Sequence, residues 1–331
     1  MKETTIGVSK RILSNDESDA RNIIVVKDLT KKFGSFTAVD HVNLTVKEGE
    51  IFGFLGPNGA GKTTTISVLT TLIKPTEGTA SIAGHNLVTE GSAIRSIIGV
   101  VPQTFALFPE LTAMENLTYI GKLYGMSKAE IKERSDHLLK TVSLSEYHDT
   151  IANDFSGGMK QLLSLAASIM SSPKILFMDE PTNGLDPESR IAVRELTKEL
   201  NQQGTTIIYT THDMAEAEKI CNRIVIMDGG RIIATGTGEE LKHLIPDSHA
   251  VEIELESPSE RIIEGLRKLP FVTSVQQKEK IIRLTITEKR GIFYKLSGFF
   301  RERNQKVIEL RFKEPSLEDV FIHLTKKNLR D

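Results

Sequence analysis

The stretch IFGFLGPNGAGKTT, residues 51–64, decides the fold. IFGFL reads as a strand covered on both faces. Directly after it come Gly56-Pro57-Asn58-Gly59-Ala60-Gly61-Lys62-Thr63-Thr64, which fit the pattern G-x-x-x-x-G-K-[ST]. The glycines let the chain turn tightly, with backbone N–H groups pointing inward at an anion. The helical run that follows brings the positive end of its dipole to the same place. In this arrangement Lys62 reaches the β- and γ-phosphates of a nucleotide, and the Thr63 hydroxyl is a ligand for Mg²⁺. The place of the loop between a strand and a helix makes a chance match rarer still.

Working outward, KILFM (174–178), TTIIYT (205–210) and RIVIM (223–227) are further near-continuous apolar runs. Short strands alternating with longer helical stretches, from Ile23 to about Ile233, predict an α/β domain with a largely parallel sheet. Between Thr112 and about Leu144, MENLTYIGKLYG and KAEIKERSDHLLKTV carry helical spacing with no strand between them. This predicts an inserted helical subdomain over about 104–170, within a domain spanning 23–245.

The tail, residues 246–331, has another rhythm. VEIELE (251–256), KIIRLTI (280–286) and VIELRF (307–312) alternate as strands. RIIEGLRKL (261–269), GIFYKLSGFFRER (291–303) and SLEDVFIHLTKK (316–327) read as helices, the last capped by Ser316. The order predicts a small C-terminal α+β domain of ferredoxin-like layout. Residues 1–22 are polar and read as an N-terminal extension.

Among 331 residues, 42 Lys and Arg against 44 Asp and Glu leave a net charge of −2, which argues against a dedicated nucleic-acid binder. No run reaches the roughly 20 apolar residues of a membrane helix, and the first residues carry acids where a secretion signal has its apolar core. A single cysteine, Cys221, excludes an internal disulfide and a multi-cysteine metal cage, and its setting after a helix reads as apolar packing. A cytoplasmic location is expected.

The chemistry has a second half in KILFMDE, where Asp179 and Glu180 end a buried strand. An acid there is placed to hold Mg²⁺, and its neighbour Glu180 to orient and deprotonate the water that attacks a γ-phosphate. Ser156-Gly157-Gly158 opens a further helix, either as a second anion site or as an ordinary N-cap. His212 ends the TTIIYT strand.

These motifs, in this order, closely resemble the ATP-binding-cassette (ABC) ATPases. The resemblance implies a P-loop NTPase fold, ATP and Mg²⁺ as ligands, and residue roles as follows. GPNGAGKTT is the Walker A loop, whose residues from Gly56 to Thr64, Pro57, Asn58 and Ala60 included, cradle the nucleotide; ILFMDE is the Walker B strand. Gln103, in VVPQ, meets Mg²⁺ and the attacking water, so that Thr63, Gln103 and Asp179 serve the metal while Glu180, His212 and Gln103 serve catalysis. FSGGM is the signature, through which Ser156, Gly157 and Gly158 bind ATP held by another protomer. Asp186 belongs to the D-loop, and Phe33 takes the place of the aromatic that stacks on adenine, with Phe36 the lesser choice. The usual arginines at two positions after the signature are replaced by Leu162 and Ala167, where they would face the catalytic core.

A site split between phosphate loop and signature implies a homodimer, or a pair with a related subunit. The ending EPSLEDVFIHLTKK resembles that of the ATP-binding subunits of daunorubicin-resistance-type multidrug exporters. That implies export through a separate transmembrane permease, with the chain peripheral on the inner face of the membrane. The apolar segment Thr104–Pro109 is the expected permease contact. The other reading is a soluble ABC ATPase not tied to transport, for example in cluster assembly.

Overall fold

The computed structural model describes residues 21–245, 249–287, 290–313 and 315–328. Residues 1–20 of the expected extension lie outside them. Along the chain come β1 (Asn22–Phe33), β2 (Phe36–Lys47), β3 (Ile51–Leu55), α1 (Lys62–Leu69), β4 (Glu77–Ile82), β5 (His85–Asn86), α2 (Gly91–Ile97) and β6 (Ile98–Val101). Then follow α3 (Ala113–Leu123), α4 (Lys128–Thr141), α5 (Gly157–Ser168), β7 (Ile175–Asp179), α6 (Pro187–Gln202), β8 (Thr206–Thr211), α7 (Met214–Ile220), β9 (Arg223–Asp228), β10 (Arg231–Gly236) and α8 (Gly238–Lys242).

Six strands make the central sheet, in the order β10-β9-β3-β8-β7-β6. All neighbours run parallel except the β9–β10 hairpin. Every residue of β3, β7 and β8 is buried, which is why these strands read as unbroken runs. In register, Leu55 pairs with Thr211 and Asp179 with Thr210. The carboxyl ends of β3, β7 and β8 therefore lie side by side, at the edge of a parallel sheet where ligands bind.

A second, antiparallel sheet, β2-β1-β4-β5, is not foreseen by the alternating strand–helix reading. Its leading hairpin turns at Gly34-Ser35, with Gly34 at φ +59°, and pairs Phe33 with Phe36. The helical segment appears where expected, as α3, α4 and α5 between β6 and β7. Capping boxes at Thr112/Glu115 and Ser127/Glu130 start the first two helices. Leu117, Ile131, Leu138 and Leu163 share one core with Leu176, Met178 and Tyr209 of the sheet.

The tail comprises β11 (His249–Leu255), α9 (Glu260–Arg267), β12 (Val272–Lys278), β13 (Ile281–Ile286), α10 (Ile292–Glu302), β14 (Val307–Lys313) and α11 (Leu317–Asn328). Its sheet, β12-β13-β11-β14, is antiparallel throughout, the βαββαβ order of a ferredoxin-like layout. Val251, Ile253, Ile282 and Leu284 pack there on Ile262, Leu266, Leu296 and Phe300. The last helix leaves this core. Ser316 caps it, its Oγ accepting from the Asp319 N–H at 3.2 Å. Leu317 and Val320 are then fully buried among Leu55, Ala217, Ile224 and Leu241.

Candidate active site

The loop after β3 encloses a cavity of about 300 Å³, lined by Phe36, Ala38, residues 58–64, Gln103 and Glu180. Gly61 stands at the start of α1 with φ +99°, and a Cβ there would meet the Ala38 carbonyl oxygen at 2.5 Å. Both backbone conformation and space therefore demand glycine. Lys62 is buried, and its Nζ donates to the carbonyls of Gly56 at 2.8 Å and Pro57 at 3.1 Å. The same ammonium lies 3.4 Å from Glu180 Oε1.

Asp179 and Glu180 are both buried at the end of β7. Asp179 Oδ1 accepts from the Thr210 hydroxyl at 2.5 Å. Its second oxygen receives no hydrogen bond among the described residues. Glu180 adopts φ +48°, a left-handed conformation rare for a side-chain-bearing residue. Its Oε2 accepts from Asn183 Nδ2 at 3.1 Å and lies 3.1 Å from His212 Nδ1, a contact that needs the proton on Nδ1. One carboxylate thus stands between a buried lysine and an exposed histidine. Thr63 and Gln103 line the cavity and Asp179 does not, although it directly precedes Glu180, which does. Hydroxyl, amide and carboxylate oxygens are the donor types that suit Mg²⁺.

The remaining expected residues gather elsewhere. Ser156, Gly157, Gly158 and Asp186 do not line the cavity. Ser156 caps α5, its Oγ accepting from the Met159 N–H at 3.2 Å. A Cβ on Gly158 would strike Ser189 Oγ at 1.9 Å, whereas one on Gly157 would meet only Leu185, at 4.0 Å. Asp186 caps α6, and the Ser189 hydroxyl with the first backbone N–H groups holds its carboxyl below the usual range. The start of α5 and the start of α6 are therefore packed against each other through Gly158, Ser189 and Asp186.

Phe36 lines the cavity and Phe33 does not. The two are cross-strand partners, so their rings share one face of the hairpin tip, and the Lys31 ammonium sits 5.0 Å from the Phe33 ring centre. The positions lacking arginine also differ from expectation. Leu162 packs on the helical core, and Ala167 lines a separate groove, so neither meets the phosphate loop. That groove, about 600 Å³, runs past Leu72, Ile98, Val100, Ala106, Ile120, Leu123 and Tyr124. Thr210, which touches both acids, was not marked by any sequence pattern.

Such a cradle takes the phosphate chain of a nucleoside triphosphate, so fold and site together define a P-loop nucleoside triphosphatase. Comparison with known proteins narrows the class. The ABC transporter family matches residues 39–183. The linearmycin resistance ATP-binding protein LnrL of Bacillus subtilis is 36% identical over 93% of this chain and 100% of its own length. The daunorubicin/doxorubicin resistance ATP-binding protein DrrA of Streptomyces peucetius is 40% identical over 91% of this chain and 92% of its own. A dimeric ATP-binding cassette solved in a post-hydrolysis state with ADP and Pi superimposes with a TM-score of 0.60 at 32% identity, covering 65% of this chain and 98% of that one. The chain belongs to the ATP-binding subunits of ABC transporters. It is an ATPase.

Proposed function

We propose that this chain pairs with a second ATP-binding subunit, closes around two ATP molecules and uses their hydrolysis to drive export through a separate membrane permease. One observation carries the pairing: the cavity holds the phosphate loop, Gln103 and Glu180 but none of the signature. Gly157 adds to it, because nothing among the described residues requires glycine there. A missing side chain at the exposed start of α5 fits the close approach of a phosphate from outside.

In the proposed cycle the loop N–H groups and Lys62 grip the β- and γ-phosphates, while Phe33 stacks on adenine with Phe36 as the neighbouring wall. Ser156 and the amides of Gly157 and Gly158 reach the γ-phosphate of ATP seated on the partner, with Asp186 holding the facing loop. Thr63, Gln103 and Asp179 would hold Mg²⁺, which when bound neutralises charge on the β- and γ-oxygens. Glu180, turned by His212, orients a water and takes its proton as the water oxygen bonds to γ-phosphorus. The bond from γ-phosphorus to the bridging oxygen breaks, and ADP and phosphate leave. Losing the γ-phosphate removes what both subunits grip, so the pair opens.

Residues 23–245 would carry this cycle, with 246–331 assisting pairing or regulation. The resistance proteins named above support export as the work done. No helix among the described residues is long and apolar enough to cross a membrane, and the naming of the relatives as ATP-binding proteins supports a separate membrane subunit. Phe105 and Phe108 are exposed beside the apolar groove, which suits a permease helix at the inner membrane face. Analytical ultracentrifugation of Glu180→Gln tests the pairing: it should be a dimer with ATP and a monomer without it. A monomer under both conditions overturns the proposal.

A further inference from the structure

Asp179 and Glu180 are both held by a third residue. Thr210, fully buried on β8, is the in-register neighbour of Asp179 on β7. Its hydroxyl donates to Asp179 Oδ1 at 2.5 Å, and Thr210 Oγ1 itself accepts from the Glu180 N–H at 2.9 Å. The Thr210 carbonyl lies 3.2 Å from that N–H as well. A hydroxyl has one proton to give and lone pairs to receive, so both contacts can be made at once. They differ in effect. The donated bond fixes the rotation of the Asp179 carboxylate, and the accepted bond pins the backbone at Glu180, where φ is +48°. A residue held in that region needs surroundings that over-determine it.

We propose that Thr210 is a positioning residue for both acids, presenting the free oxygen of Asp179 to the metal and holding Glu180 in the turned conformation from which it meets Lys62 and His212. The proposal rests on the reading of Asp179 as the metal-side acid. Valine matches threonine in shape and lacks the hydroxyl, which makes it the informative replacement. Outer-shell partners of a metal-bound carboxylate typically influence affinity by roughly 10- to 100-fold. The Lys62 contacts to the loop carbonyls do not involve Thr210, so the protein should still bind ADP without a divalent ion.

The test uses the full chain with ADP and Mn²⁺ as the probe, metal occupancy being read by electron paramagnetic resonance rather than by turnover. Thr210→Val should weaken Mn²⁺ binding at least tenfold while metal-free ADP still binds, and Thr210→Ser should restore the Mn²⁺ affinity. Mn²⁺ binding by Thr210→Val as tight as in the unaltered protein overturns the proposal. Asp179→Asn separates the two readings. Unaltered Mn²⁺ binding in that variant sinks the assignment of Asp179, whereas weakened binding there beside full binding in Thr210→Val sinks only the role of Thr210. If the valine variant does not fold, Thr210→Ala and Thr210→Ser decide: weak binding in the first and full binding in the second support the role, and full binding in both overturns it.

Discussion

Lys62 Nζ and Glu180 Oε1 lie 3.4 Å apart, with both side chains almost wholly buried. The cation proposed to grip phosphate and the carboxylate proposed to activate water are thus paired with each other. An incoming γ-phosphate competes with Glu180 for this ammonium, so binding ATP should also free the carboxylate for its water. Glu180→Gln removes the competing charge while keeping the shape. Equilibrium binding should show ATP affinity equal to or tighter than that of the unaltered protein, with turnover lowered by roughly 10²- to 10⁴-fold. Weaker ATP binding would count against the competition.

Phe33 and Phe36 share the hairpin tip, and only Phe36 lines the cavity. Phe33→Ala should cost about 1–3 kcal/mol of ATP affinity if adenine stacks on its ring, and Phe36→Ala less. Displacement of a fluorescent ATP analogue measures both. Inorganic triphosphate, which has no base, should bind all three proteins alike. A larger loss in Phe36→Ala would transfer the stacking role to that residue.

Burial, and secondarily the Glu216 carboxylate, push the Cys221 thiol far above its usual range. The thiolate is the reactive form, and raising the pKa lowers its population at any working pH. Iodoacetamide at mildly alkaline pH should therefore leave the folded protein unlabelled and alkylate Cys221 once guanidinium unfolds it. Mass spectrometry reads the outcome, and rapid labelling of the folded chain would contradict the packing.

Leu317 is fully buried beside Leu55, the residue that directly precedes the phosphate loop. Leu317→Ala should destabilise the chain by about 2–4 kcal/mol through the cavity it opens. Denaturant titration followed on the whole chain provides the measurement. No change in stability would mean that α11 is not held by these contacts.

Much of this was legible in the sequence because burial on both faces left few options. β3, β7 and β8 show as apolar runs, and the loop after β3 announces its anion through Gly61 and Lys62. Elements with little to bury were harder to see. β12 has only Val272 and Val275 half-buried among exposed residues, so VTSVQQK carries almost no alternation. β1 and β2 are broken by register shifts, which blurs their period and hid the antiparallel sheet. Thr210 acts through one hydroxyl that reaches a neighbouring strand, and sequence spacing holds no record of that register. Ala167 sits on the face of α5 that borders the apolar groove, an orientation that helical spacing alone could not assign.

The account depends on each ATP being shared between two chains, and mixing two inactive variants tests this most directly. Lys62→Ala lacks the phosphate grip and Ser156→Ala lacks the signature hydroxyl, so neither should hydrolyse ATP appreciably alone. Random pairing of equal amounts makes half the dimers mixed, each with one intact site of two, and the mixture should regain up to about one quarter of normal ATPase activity. A mixture no more active than the average of its two components would contradict the shared site.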